Sequence, residues 1–118
     1  MKPYVIEPLT RAISIRQPYV ELILLGKKRR EFRSRPTNVR GRVWLYASLK
    51  PVDDGSSWRR VRRAPGELPT GVIVGSVEIV ACEDLGDDGF AYVLAKPKRC
   101  KPWKSRRQPQ PIFWRPIS

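Results

Sequence analysis

The run 71–82 (GVIVGSVEIVAC) constrains the fold more than any other segment. Its density of valine and isoleucine suits an extended strand, and Gly75 inside it marks a bulge or bend. Shorter strand patterns surround it. Residues 11–15 (RAISI) alternate apolar and polar side chains. In 27–34 (KKRREFRS) the alternation puts Glu31 and Arg33 on one face and Phe32 on the other. In 42–48 (RVWLYAS), Val43, Leu45 and Ala47 face one way and Trp44 and Tyr46 the other. Residues 90–95 predict another strand and 112–114 a short edge strand. Residues 1–9, with two prolines, read as a lead-in.

Two helices are expected. The first starts with Pro18 at its first helical position, carries Glu21 in its first turn and ends at Gly26, which tolerates positive φ. Its other residues are mostly apolar, so it is buried. The second is short, over 57–63 (SWRRVRR), capped by Ser56 or Ser57. Five to six short strands with one buried N-terminal helix and one further short helix predict an α+β, barrel-like fold, because closure hides strand edges. With 118 residues, the chain reads as a single domain, 1–118, with the proline-rich segment 96–118 packed on it or trailing from it.

Chemistry is narrowed by what is missing. The chain has no histidine, which excludes Ser-His-Asp and Cys-His nucleophile pairs, histidine-ligated zinc and histidine pH switching. Two cysteines are too few for a Cys-only zinc site or a disulfide framework. Cys82 is expected as a small buried hydrophobe and Cys100 as an exposed free thiol. No metal or cofactor is expected. Residues 1–10 lack the apolar run of a signal peptide, and 19–25 is too short to span a bilayer, so a cytoplasmic protein without a membrane partner is expected.

The charge is segregated along the chain. Residues 1–63 carry 16 basic and 5 acidic side chains, 64–95 carry 6 acidic and no basic ones, and 96–118 carry 8 basic and no acidic ones, which sums to the net +13. If the two cationic stretches meet and the acidic middle lies elsewhere, one face attracts a polyanion. Three groups are candidates for that face. Lys28, Glu31 and Arg33 form a mixed-charge set: Arg33 a planar fork for phosphate, Lys28 a point charge, Glu31 an acceptor for an exocyclic amine or a 2′-hydroxyl, or else Glu31 pairs with Arg33 or Lys28 and only knits strand to helix. Trp58 with Arg59, Arg60, Arg62 and Arg63 interleaves an aromatic with cations, or else Trp58 is a packing lid over a solvated basic loop. Residues 98–107, with Trp103, Arg106 and Arg107, read as a basic arm that orders on binding, or else as a plain surface strand. Trp44 and Trp114 are expected in the core.

The runs Ser14-Ile15-Arg16-Gln17-Pro18-Tyr19 and Gly26-Lys27-Lys28-Arg29-Arg30-Glu31-Phe32-Arg33 together resemble the ASCH domain family, of the PUA-like group of small β-barrels. The second run fits its pattern G-x-K-x-x-E-x-R through Gly26, Lys28, Glu31 and Arg33, and the strand 41–48 follows at the family's spacing. The likeness extends over residues 9–117. Two departures stand out: Tyr19 where the family often has tryptophan, and Ser105-Arg106-Arg107-Gln108 where a Lys-Gly pair often follows the prolines.

The resemblance implies a cleft between the first helix and the barrel and a role with RNA or DNA. Arg16, Gln17, Tyr19 and Ser48 join the candidate lining. Non-catalytic binding of single-stranded RNA is the leading expectation, with DNA as the other nucleic acid. A metal-independent ribonuclease is the alternative, with Glu31 taking the 2′-hydroxyl proton and Lys28 or Arg33 stabilising the transition state. A third reading follows a short bacterial branch that hydrolyses an acetylated cytidine nucleoside with a lysine, a threonine and a later glutamate. Lys28 matches the lysine, Glu31 replaces the threonine, and Glu78 or Glu83 would have to supply the glutamate.

Overall fold

A computed structural model describes residues 9–117 and the backbone of residues 5–7. The elements are β1 (Val5–Glu7), β2 (Ala12–Ile15), α1 (Tyr19–Leu24), β3 (Arg30–Arg33), β4 (Val39–Ala47), α2 (Gly55–Val61), β5 (Val72–Asp84), β6 (Phe90–Trp103) and β7 (Phe113–Trp114), with a 3-10 turn at Gly86–Asp88. Of the expected lead-in, Val5–Glu7 instead forms β1, while residues 1–4 and 8 lie outside the described residues.

The strands form one curled sheet in the order β3-β6-β5-β4-β2-β7, with β1 pairing β4. Two pairings are parallel, β1 and β2 on β4; the others are antiparallel. The curl brings β6 near β7: the Tyr92 and Phe113 rings stack with centroids 6.3 Å apart and planes 13° from parallel. This is the α+β, barrel-like architecture that the strand pattern and helix placement predict, with β1 as a strand beyond the five to six expected, and it is consistent with the PUA-like fold that the resemblance implies.

The alternation in β4 is realised as read. Val43, Leu45 and Ala47 enter the main core with Ile13, Ile15, Val77, Ile79 and Tyr92. On the other face Trp44 and Tyr46 pack edge-on against Trp103 and Trp114, each pair with centroids 5.2 Å apart. Trp58 and Val61 of α2 close over Leu22 of α1.

Gly75 sits at register shifts toward both β4 and β6. A Cβ there would strike the Lys98 carbonyl and come within 2.7 Å of Leu24 Cδ2. The backbone carbonyl cannot swing aside, so Gly75→Ala is expected to cost about 1–3 kcal/mol as overpacking, read as a fall in the urea midpoint with an unchanged m value.

Helix ends differ from expectation in instructive ways. Pro18 precedes α1 rather than opening it, and the Gln17–Pro18 peptide is cis. Gln17 Oε1 accepts the Glu21 N–H at 3.1 Å, so a side chain outside the helix satisfies one of its free donors. In α2 the cap is Asp54, not Ser56 or Ser57. Its carboxylate accepts from the Ser56 N–H at 3.2 Å and from the hydroxyls of Ser56 at 2.8 Å and Ser57 at 2.6 Å. The Ser57 and Ser56 bonds lower its pKa to about 2.

The largest difference concerns the C-terminal segment. Of the two readings of 98–107, the surface strand holds as far as Trp103: residues 96–103 continue β6, paired with β5 as far as Ile73–Trp103. The pattern 96–103 hides a strand because Pro97 and Pro102 interrupt it and cations fill its exposed positions. Residues beyond it return to the barrel through Arg106 N–H to the Pro116 carbonyl at 2.8 Å and Trp114 Nε1 to Ser105 Oγ at 3.1 Å. Cys100 is half-buried beside Trp103 rather than exposed, and burial raises its thiol pKa; Cys82 is half-buried too.

Candidate nucleic-acid interface

The curled sheet leaves a seam between its end strands. Strand β7 pairs with β2 only at Ala12 and Ile13, so the remainder of β2 faces β3 across a gap. A hollow of about 410 Å³ occupies that gap, walled by Ser14, Arg16, Tyr19, Glu31, Phe32, Arg33, Ser48 and Pro111. Arg33 spans the seam: its Nη2 donates to the Ser14 carbonyl at 2.6 Å. Beside that contact the hydroxyls of Ser14 and Ser48 share a hydrogen bond at 2.5 Å.

Glu31 lies at the centre, its side chain 10% exposed between two cations. Arg33 Nε donates to one oxygen at 3.0 Å, and Lys28 Nζ lies 3.6 Å from the other. The Lys28 ammonium also lies 5.2 Å from the Tyr19 ring centre and 5.1 Å from that of Phe32, within reach of both π faces. One carboxylate between two cations leaves the triad with net charge +1, a seat for an anion.

Burial lowers the Lys28 pKa; Glu31 opposes that effect, while Arg33 and Arg60 add to it by repulsion. A lysine whose folded pKa lies below the unfolded value makes the unfolded chain bind more protons in that interval, so stability rises with pH there. The prediction is that wild-type stability gains relative to Lys28→Met as pH climbs from the lowered value toward 10.5, in paired urea titrations.

Of the other candidates, Arg16 lies on the rim, where Nε and Nη2 hold the Lys50 and Pro51 carbonyls at 2.7 Å each. Tyr19 joins the hollow to α2 through Asp54, its hydroxyl 3.4 Å from Oδ2. Gln17 is 1% exposed and both ends of its amide are bonded, Nε2 to the Pro69 carbonyl at 3.1 Å and Oε1 to the Glu21 N–H, so it supports the cleft from within the core instead of lining it. Trp58 is 6% exposed, with its indole N–H on the Val52 carbonyl at 2.9 Å; it is the lid of the α1–α2 contact and offers no face to a base.

The arginines of α2 and of the residues after it stay at the surface, and Arg60 is bonded to Lys27, the neighbour of Lys28 in sequence. Lys27 Nζ donates to the Arg60 carbonyl at 3.0 Å and Arg60 Nη2 donates to the Lys27 carbonyl at 3.2 Å. Arg59, Arg62 and Arg63 are exposed around it. Arg106 is exposed beyond β6, and Arg107 lines a separate hollow with Gln108, Gln110, Trp114 and Arg115.

The acidic middle segment is not turned away. The β5–β6 turn lies at the end of β3, where Asp87 and Asp88 share a hollow with Phe32, Arg33 and Ser34. Upstream in the same segment Glu78 pairs with Arg42 at 3.4 Å and Glu83 with Arg30 at 2.7 Å. Antiparallel pairing interleaves stretches that are separate in sequence. Neither Glu78 nor Glu83 lines the cleft, whose carboxylate is Glu31.

Phe32 was assigned only a strand face by the sequence, yet it is 57% exposed at the mouth of the hollow. The alternation that buries Glu31 is the signal that puts Phe32 outside.

Comparison with known proteins gives two results. The family model for the ASCH domain matches residues 13–110. The chain is 32% identical to human Activating signal cointegrator 1 over 80 residues, which is 59% of this chain and 14% of that protein. It is 32% identical to the mouse protein of the same name over 109 residues, 73% of this chain and 19% of that protein. The chain thus spans less than a fifth of the length of the curated relatives it matches.

Proposed function

The chain belongs to the ASCH domain family, a family associated with RNA binding, and on that premise we propose that it binds single-stranded RNA in the seam between β2 and β3. One observation carries the reading: Glu31 and Arg33 wall a solvent-facing hollow, the Lys28 ammonium completes their net-positive triad against the Tyr19 and Phe32 rings of that wall, and Phe32 is exposed at the mouth. A phosphate would sit near Lys28 and the free edge of Arg33, and Arg60, Arg59, Arg62 and Arg63 would extend the track along α2. A base would stack on Phe32 or Tyr19. Single-stranded bases reach so small a hollow without unstacking a duplex, and the Ser14 and Ser48 hydroxyls offer partners for a 2′-hydroxyl.

Binding fits the geometry better than cleavage. A carboxylate with both oxygens facing cations is poorly placed to take a proton from a 2′-hydroxyl. The closing test is salt dependence. With about 4–7 phosphate contacts, log K against log salt is expected to fall with a slope of roughly −3 to −5. Fluorescence anisotropy with labelled RNA and DNA of one sequence would measure it; affinity unchanged between about 50 and 300 mM salt would remove the phosphate contribution on which the reading rests.

A further inference from the structure

Lys28 has a hollow on each side. Its ammonium meets the walls of the cleft, while its chain lines a second hollow of about 280 Å³. The floor of this second space is hydrocarbon: Ile23 of α1, Val77 of β5, and Leu94, Ala95 and Pro97 of β6. Its mouth carries Arg29 and Lys96 beside Lys28.

The hollow exists because strands part company there. The pairing of β3 with β6 ends where Leu94 N–H meets the Arg29 carbonyl at 2.8 Å. Strand β6 then turns through Lys96, a non-glycine residue with φ +52°, while α1 has already ended at Leu24. Arg42 Nη2 holds the Lys96 carbonyl at 2.8 Å and so fixes the turn. A left-handed conformation at a lysine is strained, and such strain persists where the surroundings enforce it.

The charge around the mouth is one-sided. Nearby Arg30, Arg42 and Arg99 each have a carboxylate partner: Glu83, Glu78 and Glu21. Among the described residues no carboxylate pairs with Arg29 or Lys96. A nucleobase would leave its edge donors and acceptors unpaired against this floor. A hydrocarbon body with a single terminal anion leaves nothing unpaired. The volume of about 280 Å³ lies just below the range of about 300–1,000 Å³ typical of drug-sized ligands, which suits a single ring or a short branched chain.

We propose that this hollow binds a small organic carboxylate, its hydrocarbon part on Ile23, Val77 and Leu94 and its carboxylate between Arg29 and Lys96. The site lies outside the RNA cleft and shares only Lys28 with it.

Sodium benzoate titrated at constant ionic strength into the isotopically labelled chain, followed by amide NMR, tests this without nucleic acid, so the result is independent of the RNA reading. Saturable shifts centred on Gly26 and residues 94–96 are expected. Benzyl alcohol, the neutral counterpart, is expected to bind roughly tenfold more weakly, and the exposed double variant Arg29→Gln/Lys96→Gln to lose a similar factor for benzoate while keeping its dispersed spectrum. The proposal is overturned by absence of saturable shifts, by equal affinity for benzyl alcohol, by a double variant that binds benzoate as the wild type does, or by adenosine 5′-monophosphate shifting the same amides at lower concentration than benzoate.

Discussion

Glu31→Ala is expected to destabilise the domain by about 3 kcal/mol, because it strands two cations that were buried against one carboxylate. Lys28 and Arg33 have side chains only 16% and 18% exposed, and Arg33 reaches no other carboxylate in the described structure. The Arg33 bond to the Ser14 carbonyl survives the substitution, but the two positive groups then repel across the vacated space. Glu31→Gln keeps the shape and one acceptor, so its loss should be smaller. Urea unfolding of both variants separates lost charge from lost volume. Equal stability of wild type and Glu31→Ala would mean that the triad is no more than a surface ion pair, worth under about 1 kcal/mol.

The same two variants divide the functional readings. Glu31→Gln raises the charge of the seat from +1 to +2, so RNA affinity should hold or rise at low salt. Incubating labelled RNA with wild type, Glu31→Gln and Lys28→Ala, with chelator present, exposes any cleavage. Binding alone requires intact RNA in every sample. Cleavage by wild type that disappears in Glu31→Gln while affinity persists would make the protein a ribonuclease.

What the sequence disclosed and what it hid follow from the range of the interactions. Local periodicity was readable: the face alternation of β4, the bulge at Gly75, the burial of α1 and the pairing of Glu31 with Arg33 all depend on neighbours within a few residues. The cap of α2 lies upstream of the serines: the helix starts at Gly55, so Ser56 and Ser57 fall in its first turn and donate to Asp54 instead of capping. Long-range pairing was opaque. Residues 98–107 read equally as an arm or a surface strand, because the partner that makes 98–103 a strand lies in 73–76. The clustering of charge in sequence misled for the same reason: β5 and β6 fold back on each other beside β3, so Glu83 and the 87–88 carboxylates arrive next to Arg30 and Arg33. Gln17 and Trp58 had the composition of cleft residues and proved to be internal supports, since both have polar groups that find backbone carbonyls inside.

Phe32 and Trp58 therefore make opposite predictions, and the contrast is the sharpest available for the proposed interface. Phe32 is an exposed ring at the mouth of the hollow, so Phe32→Ala removes a stacking surface and little core. Loss of one base–aromatic stack costs about 1–3 kcal/mol, which lowers RNA affinity roughly 5- to 150-fold with the urea midpoint nearly unchanged. The ring also covers Lys28, so part of the loss reflects a freer ammonium; Phe32→Leu, which keeps the cover without the π face, isolates the stack. Trp58→Ala opens a cavity under α2 and should cost about 3–5 kcal/mol of stability, with affinity preserved in whatever fraction remains folded. An unchanged affinity in Phe32→Ala, or a Trp58→Phe variant that stays folded yet no longer binds, would move the base-contacting surface away from the β2–β3 seam and onto α2.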